Sequence, residues 1–105
     1  LLFNNGLSSS SKALEYSINE SSMTASEIWS YANGNMSTMS MGDAKRMPNG
    51  NTLVTFSTNG VIQEVGSSGT MLREISWGMG SAVGYANRVR DLYSIPPEYD
   101  FYPHK

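Results

Sequence analysis

The chain contains no cysteine. That absence removes disulfides, thiolate zinc sites and a thiol nucleophile together, and it leaves the redox compartment open. Histidine is almost missing as well: the one imidazole, His104, stands beside the C-terminal residue. A multi-histidine metal site cannot be assembled from these 105 residues. Charged residues make up only 15% of the chain, with a net charge of −2. There is no basic stripe to attract nucleic acid and no like-charge block that would read as a solvated tail. No apolar run approaches the roughly 20 residues that a membrane-spanning helix needs. The opening "LLFNNGLSSSS" has leucines without a basic segment ahead of them, so it does not read as a secretory signal, which again leaves the compartment open.

A convincing long helix is also lacking, whereas short strand-like segments are frequent. Candidates are Leu1–Phe3, Lys12–Ile18, Thr24–Tyr31, Asp43–Met47, Thr52–Ser57, Val61–Val65, Met71–Trp77 and Tyr85–Leu92. Between them fall "NNG", "NES", "ANGN", "PNGN", "TNG" and "GSSG", chemistries that supply a left-handed residue or an Asx-turn. The best helical stretch, Ser21–Ala32, carries Thr24, Ile28, Trp29 and Tyr31, whose β-branched or aromatic side chains favour a strand instead.

These segments repeat. Phe3 aligns with Phe56, Gly6 with Gly60, Glu15 with Glu64, and Glu27-Ile28 with Glu74-Ile75. "GDAKRM" at 42–47 and "GYANRV" at 84–89 share the pattern G-x-A-x-R-apolar. A unit of roughly 42–54 residues carrying about four strands is the period and content of a β-propeller blade. The expected fold class is therefore all-β: about two blades' worth of four-stranded antiparallel sheet from a propeller.

In this division residues 1–31 end one blade. Residues 40–77 form a complete blade, with the strands "SMGDAKRM", "NTLVTFS", "VIQEV" and "MLREISW". Residues 84–93 are the inner strand of the next blade or a ring closure, and residues 94–105 are an extended, Pro-rich tail. Two blades leave wide apolar faces in water, so the expected partner is the remainder of a propeller, or another chain completing it.

Several side chains have both a chemical and a structural reading. Arg46 and Arg88 occupy one slot in the two repeats and could attract an anion; the structural reading pairs them with Asp43, Asp91 or loop carbonyls. Glu15, Glu27, Glu64 and Glu74 could be paired carboxylates, but their repetition favours a solvated strand face. Trp29, Tyr31, Phe56 and Trp77 read as core between sheets, and the methionines, crowded between Met36 and Met47, as soft core filler.

The segments "LLFNNG", "SKALEYSIN", "TASEIWSYANG", "MGDAKRMPNGNTLV", "GVIQEVGSSGTMLREISW" and "GYANRVRDLY", in that order, resemble the C-terminal part of the arylsulfotransferase family, from about Leu1 to Tyr93. The resemblance implies a six-bladed propeller, without a cofactor, that moves a sulfuryl group from a phenolic sulfate ester to a phenol. It implies a histidine nucleophile on an inner strand, and a periplasmic or extracellular location. A ring nitrogen can hold the group covalently and split one transfer into two easier steps.

The departures from the family pattern are informative. The family's nucleophile lies in an H-D-A-R-type strand shortly upstream of F-D-N-G, and here the matching "FNNG" is residues 3–6. The nucleophile is thus expected upstream of Leu1, with no catalytic residue in this chain. Gly42 stands where that histidine aligns between blades, and His104 lies past the last matched motif. A family S-x-x-T stretch, whose threonine lines the sulfuryl pocket, corresponds to Ser37–Ser40, with Ser40 in the threonine's place. Ser40, Arg46 and Arg88 are accordingly the candidate substrate-binding residues, with no metal ligands. The chain alone is expected to be inactive. The alternative is a non-catalytic structural or binding segment that assembles with other chains.

Overall fold

The computed structural model describes residues 1–76 and 82–88. Among the described residues, seven strands form two antiparallel sheets. Strands β1 (Leu2–Asn4), β2 (Lys12–Asn19) and β3 (Thr24–Tyr31) make a three-stranded sheet in chain order. Strands β4 (Asp43–Arg46), β5 (Thr52–Phe56), β6 (Val61–Val65) and β7 (Met71–Ser76) make a four-stranded meander, also in chain order. Among the described residues there is no α-helix, only a 3-10 turn at Ser57–Asn59. The protein is all-β, and these strands follow the expected segments within a residue or two.

The strands form where β-branched and aromatic residues alternate, and they stop where the chain reverses. After β5, "STNG" makes a 3-10 turn that Gly60 ends at φ 65°, returning its N–H to the Ser57 carbonyl at 3.1 Å. Only a residue without a Cβ adopts that left-handed backbone at little cost, so the Asn-Gly pair fixes where β6 begins.

The sheets bury a common core. Ala13, Val54, Phe56, Val61 and Val65 are buried together, and Phe3, Trp29, Tyr31, Met36 and Ala44 pack against them. Phe3 meets Phe56 edge to face, with ring centroids 5.7 Å apart at 80°. Burying each Val or Phe side chain contributes about 1.5–3 kcal/mol, so this layer holds the two sheets together. Tyr31 donates to Gln63 Oε1 across it at 2.8 Å, and Trp29 Nε1 donates to the Ser67 carbonyl at 3.1 Å. The aromatic residues Trp29, Tyr31 and Phe56 therefore do sit at a sheet–sheet interface; Trp77 lies outside the described residues.

Three expectations change. Phe3 and Phe56 are not equivalent positions, because they face each other from opposite sheets. Phe3 pairs across its own sheet with Ala13, two residues before Glu15; two residues before Glu64 stands Ile62, which pairs with Thr55. Thr55 is thus the register counterpart of Phe3. Next, Tyr85–Arg88 is not a strand. It lies along the four-stranded sheet, where Val83 N–H reaches the Ser57 carbonyl at 3.4 Å, and no described strand lies beside it to complete a ladder. The rest of that expected strand, and the 94–105 tail, lie outside the described residues. Finally, only part of the methionine set fills core: Met47 is buried and Met36 packs against the Val54–Phe56 cluster, whereas Met23, Met39, Met41 and Met71 are exposed. They sit in turns or on uncovered strand faces, where no neighbouring side chains close over them.

Candidate functional site

The three loops 5–11, 32–42 and 57–60 meet at one end of the sheets, and Thr38 joins them. Its side chain is wholly buried. Its Oγ1 lies 2.7 Å from Thr58 Oγ1, accepts the Thr58 N–H at 2.8 Å and donates to the Ser40 carbonyl at 3.3 Å. Its own N–H donates to Ser11 Oγ at 2.8 Å. Asn5 Nδ2 adds donations to the Thr38 carbonyl at 3.0 Å and the Met41 carbonyl at 2.6 Å. Because buried hydroxyls must find partners, this network sets the path of the chain into β4. Ser40, the candidate site residue, is exposed beside it. Sequence reasoning passed over Thr38, since a run of Ser and Thr residues does not reveal which hydroxyl turns inward.

Gly42, at the head of β4, has φ +103°, and a Cβ built on it would stand 2.3 Å from Phe3 Cε1. Any side chain would collide with that ring in a backbone shape that L-residues avoid. The position aligned with the family's histidine is therefore closed to histidine for two independent physical reasons.

Arg46 ends β4. Its guanidinium forms an ion pair with Glu15 of β2, donates to the Gly50 carbonyl at 3.3 Å and stacks 5.0 Å from the Trp29 ring centroid. Arg46 thereby bridges the two sheets. One of its contacts is the loop carbonyl foreseen for it, but its acidic partner is Glu15 rather than Asp43.

Arg88 meets a different carboxylate. Glu64 of β6 is 9% exposed; it takes Asn51 Nδ2 on Oε1 at 2.8 Å, Arg88 on Oε1 at 3.5 Å and Arg73 on Oε2 at 3.7 Å. The Asn51 hydrogen bond, helped by Arg88, Arg73 and Asn49, holds its carboxyl below the ordinary carboxylate value, while burial pulls the other way. Glu15 and Glu64 are thus ion-paired supports, not members of a solvated face as their repetition suggested; Glu27 and Glu74 are exposed. Leu53, Ile62, Glu64, Arg73, Ile75 and Arg88 help to line a cavity of about 300 Å³. Tyr31, by contrast, has its phenol pushed up, chiefly by burial and then by the charge of Glu74.

The three candidate residues do not converge. Ser40 precedes β4 and Arg46 ends it, so a whole strand separates them, about 13 Å at 3.3 Å per residue. Arg46 shares a sheet face with its register partner Thr52, while Arg88 contacts Glu64 on the opposite face, where Leu53 pairs with Glu64. The described residues offer hydroxyls, amides and guanidinium groups, all suited to binding. They contain no imidazole and no group of three or more His, Cys, Asp or Glu side chains that could hold a metal.

Two stacked antiparallel sheets, bridged by aromatic rings and the Arg46–Glu15 pair, define an all-β protein whose described part lacks a nucleophilic imidazole or thiol. The family model described as Arylsulfotransferase (ASST) matches residues 3–91, and the chain belongs to that family. No curated protein and no solved structure gives a match. No described helix is long and apolar enough to cross a membrane.

Proposed function

We propose that this chain is the C-terminal part of a six-bladed arylsulfotransferase propeller, and that the complete protein moves a sulfuryl group between phenols. A histidine upstream of Leu1 attacks the ester sulfur as the bond from sulfur to the aryl oxygen breaks. The aryl oxide leaves and takes up a proton. The acceptor phenol then gives up its proton and attacks the sulfuryl-histidine, which regenerates the ring. This chain supplies sheet and pocket wall. The Ser40 hydroxyl is a donor to the sulfuryl oxygens, while Arg46 and Arg88, each held by a glutamate, brace the sheets that carry that wall. The protein works in the periplasm or outside the cell, without a cofactor.

The observation that carries this reading is the family match over residues 3–91, a span that contains no histidine. The two stacked sheets, with apolar Ile28 and Ile75 exposed at 59% and 62% on strand faces, support a place within a larger array of sheets. The test is an assay of sulfuryl transfer from an aryl sulfate to a phenol. The protein made from the complete reading frame should be active, and residues 1–105 alone should give only background. Transfer by residues 1–105 alone, or an acid-labile sulfuryl adduct on His104, would overturn the proposal.

A further inference from the structure

The two arginine–glutamate pairs are built alike. Arg46 and Arg88 are each the fifth residue of a G-x-A-x-R stretch, Gly42–Arg46 and Gly84–Arg88. Each reaches a glutamate on the strand next to last in the preceding sheet, Glu15 on β2 and Glu64 on β6. Each of those glutamates is followed at once by a register shift, between Glu15 and Tyr16 and between Glu64 and Val65. In each case the extra residue lies on the last strand of the sheet, Ile28 in β3 and Leu72 in β7, beside the glutamate's strand. A bulge re-aims the side chains around it, and here it falls at the same point in both sheets. Arg73, directly across from Glu64 in the β6–β7 ladder, occupies the second oxygen and leaves the first to Asn51 and Arg88.

We infer that these are two copies of one docking contact, in which a G-x-A-x-R arginine seats on the glutamate beside the bulge of the sheet before it. The face carrying Leu53, Ile62, Glu64 and Ile75 is accordingly the seat of this chain's own segment Gly84–Arg88. The contact selects its partner by charge and, at β4, by register: an arginine one place earlier or later in that strand would turn its guanidinium to the other side. The inference is independent of sulfuryl transfer, because it concerns how sheets recognise each other.

The test is hydrogen exchange at the Val83 amide in the complete protein, since that amide bonds to Ser57 only while the segment is seated. R88A and E64Q should each speed exchange by about three- to tenfold, and the two together should add little more, as expected for partners in one contact. R73A should leave Val83 nearly unchanged. The charge swap E64R with R88E should recover most of the protection; if E64R does not fold, the E64Q and R88A cycle answers the same question. Unchanged exchange in R88A, additive effects in the double variant, or an R73A effect as large as that of R88A would overturn the inference.

Discussion

The two faces of the four-stranded sheet differ sharply. Toward the three-stranded sheet, Val54, Phe56, Val61 and Val65 are at most 7% exposed. On the far side, Ile75 is 62% exposed, and Leu53 and Ile62 are half-buried around a cavity. Apolar residues stand on both faces, Val54, Phe56, Val61 and Val65 on one and Leu53, Ile62 and Ile75 on the other, so the sequence prepares both for burial. Among the described residues only the first is sealed by a second sheet; the far face has just the segment Gly84–Arg88 against it. A sheet with two apolar faces is built for the middle of a stack, and the contrast between a sealed face and an open one expresses that design.

Changes on the sealed face should cost most. Phe56→Ala removes a fully buried ring and its contact with Phe3, and should lose about 3–5 kcal/mol in denaturant unfolding. Ile75→Ala on the open face should lose less than about 1 kcal/mol, and equal losses would show that the faces are equally packed. Gly42→Ala should cost about 2–4 kcal/mol, since a Cβ there meets the Phe3 ring and the backbone is left-handed. Phe3→Ala in the same chain should relieve the steric part, so a full cost in the double variant would count against the clash.

At the loop end, Thr38→Ala should lose about 1–3 kcal/mol by leaving buried partners unmade, whereas Ser40→Ala should stay within about 0.5 kcal/mol. A reversed order would mean that Ser40 is the inward hydroxyl. The smallest effect is one of pH. Because the folded-state pKa of Glu64 lies below its ordinary value of 4.5, its contribution is present above that value and is lost as pH falls through the folded-state pKa. As pH falls from above 4.5 through the folded-state pKa, the wild type should therefore lose more stability than E64Q. Parallel curves would show that Glu64 gains nothing from its partners.

Much of this was legible in the chain alone. Asn-Gly and Gly-rich turns flank the strands because left-handed backbone needs residues without steric cost, and that requirement is local. The repeat of Glu15 with Glu64, and of Arg46 with Arg88, was visible too. Its meaning was not, because pairing one repeated set with the other requires knowing that consecutive sheets lie face to face. Phe3 and Phe56 show the same limit: two phenylalanines in similar surroundings look equivalent until strand register decides which face each one takes.

Local chemistry thus determined the strands, the turns and the family, since propensity, alternation and turn residues act within a few neighbours. Tertiary structure alone decided that Thr38 and not Ser40 turns inward, that Gly42 has no room for a side chain beside Phe3, and that Arg46 and Arg88 serve opposite faces. Each of these depends on atoms brought together from distant parts of the chain. A side chain's burial, space and charge partners are set by the sheet stacked against it, which no single stretch of sequence contains.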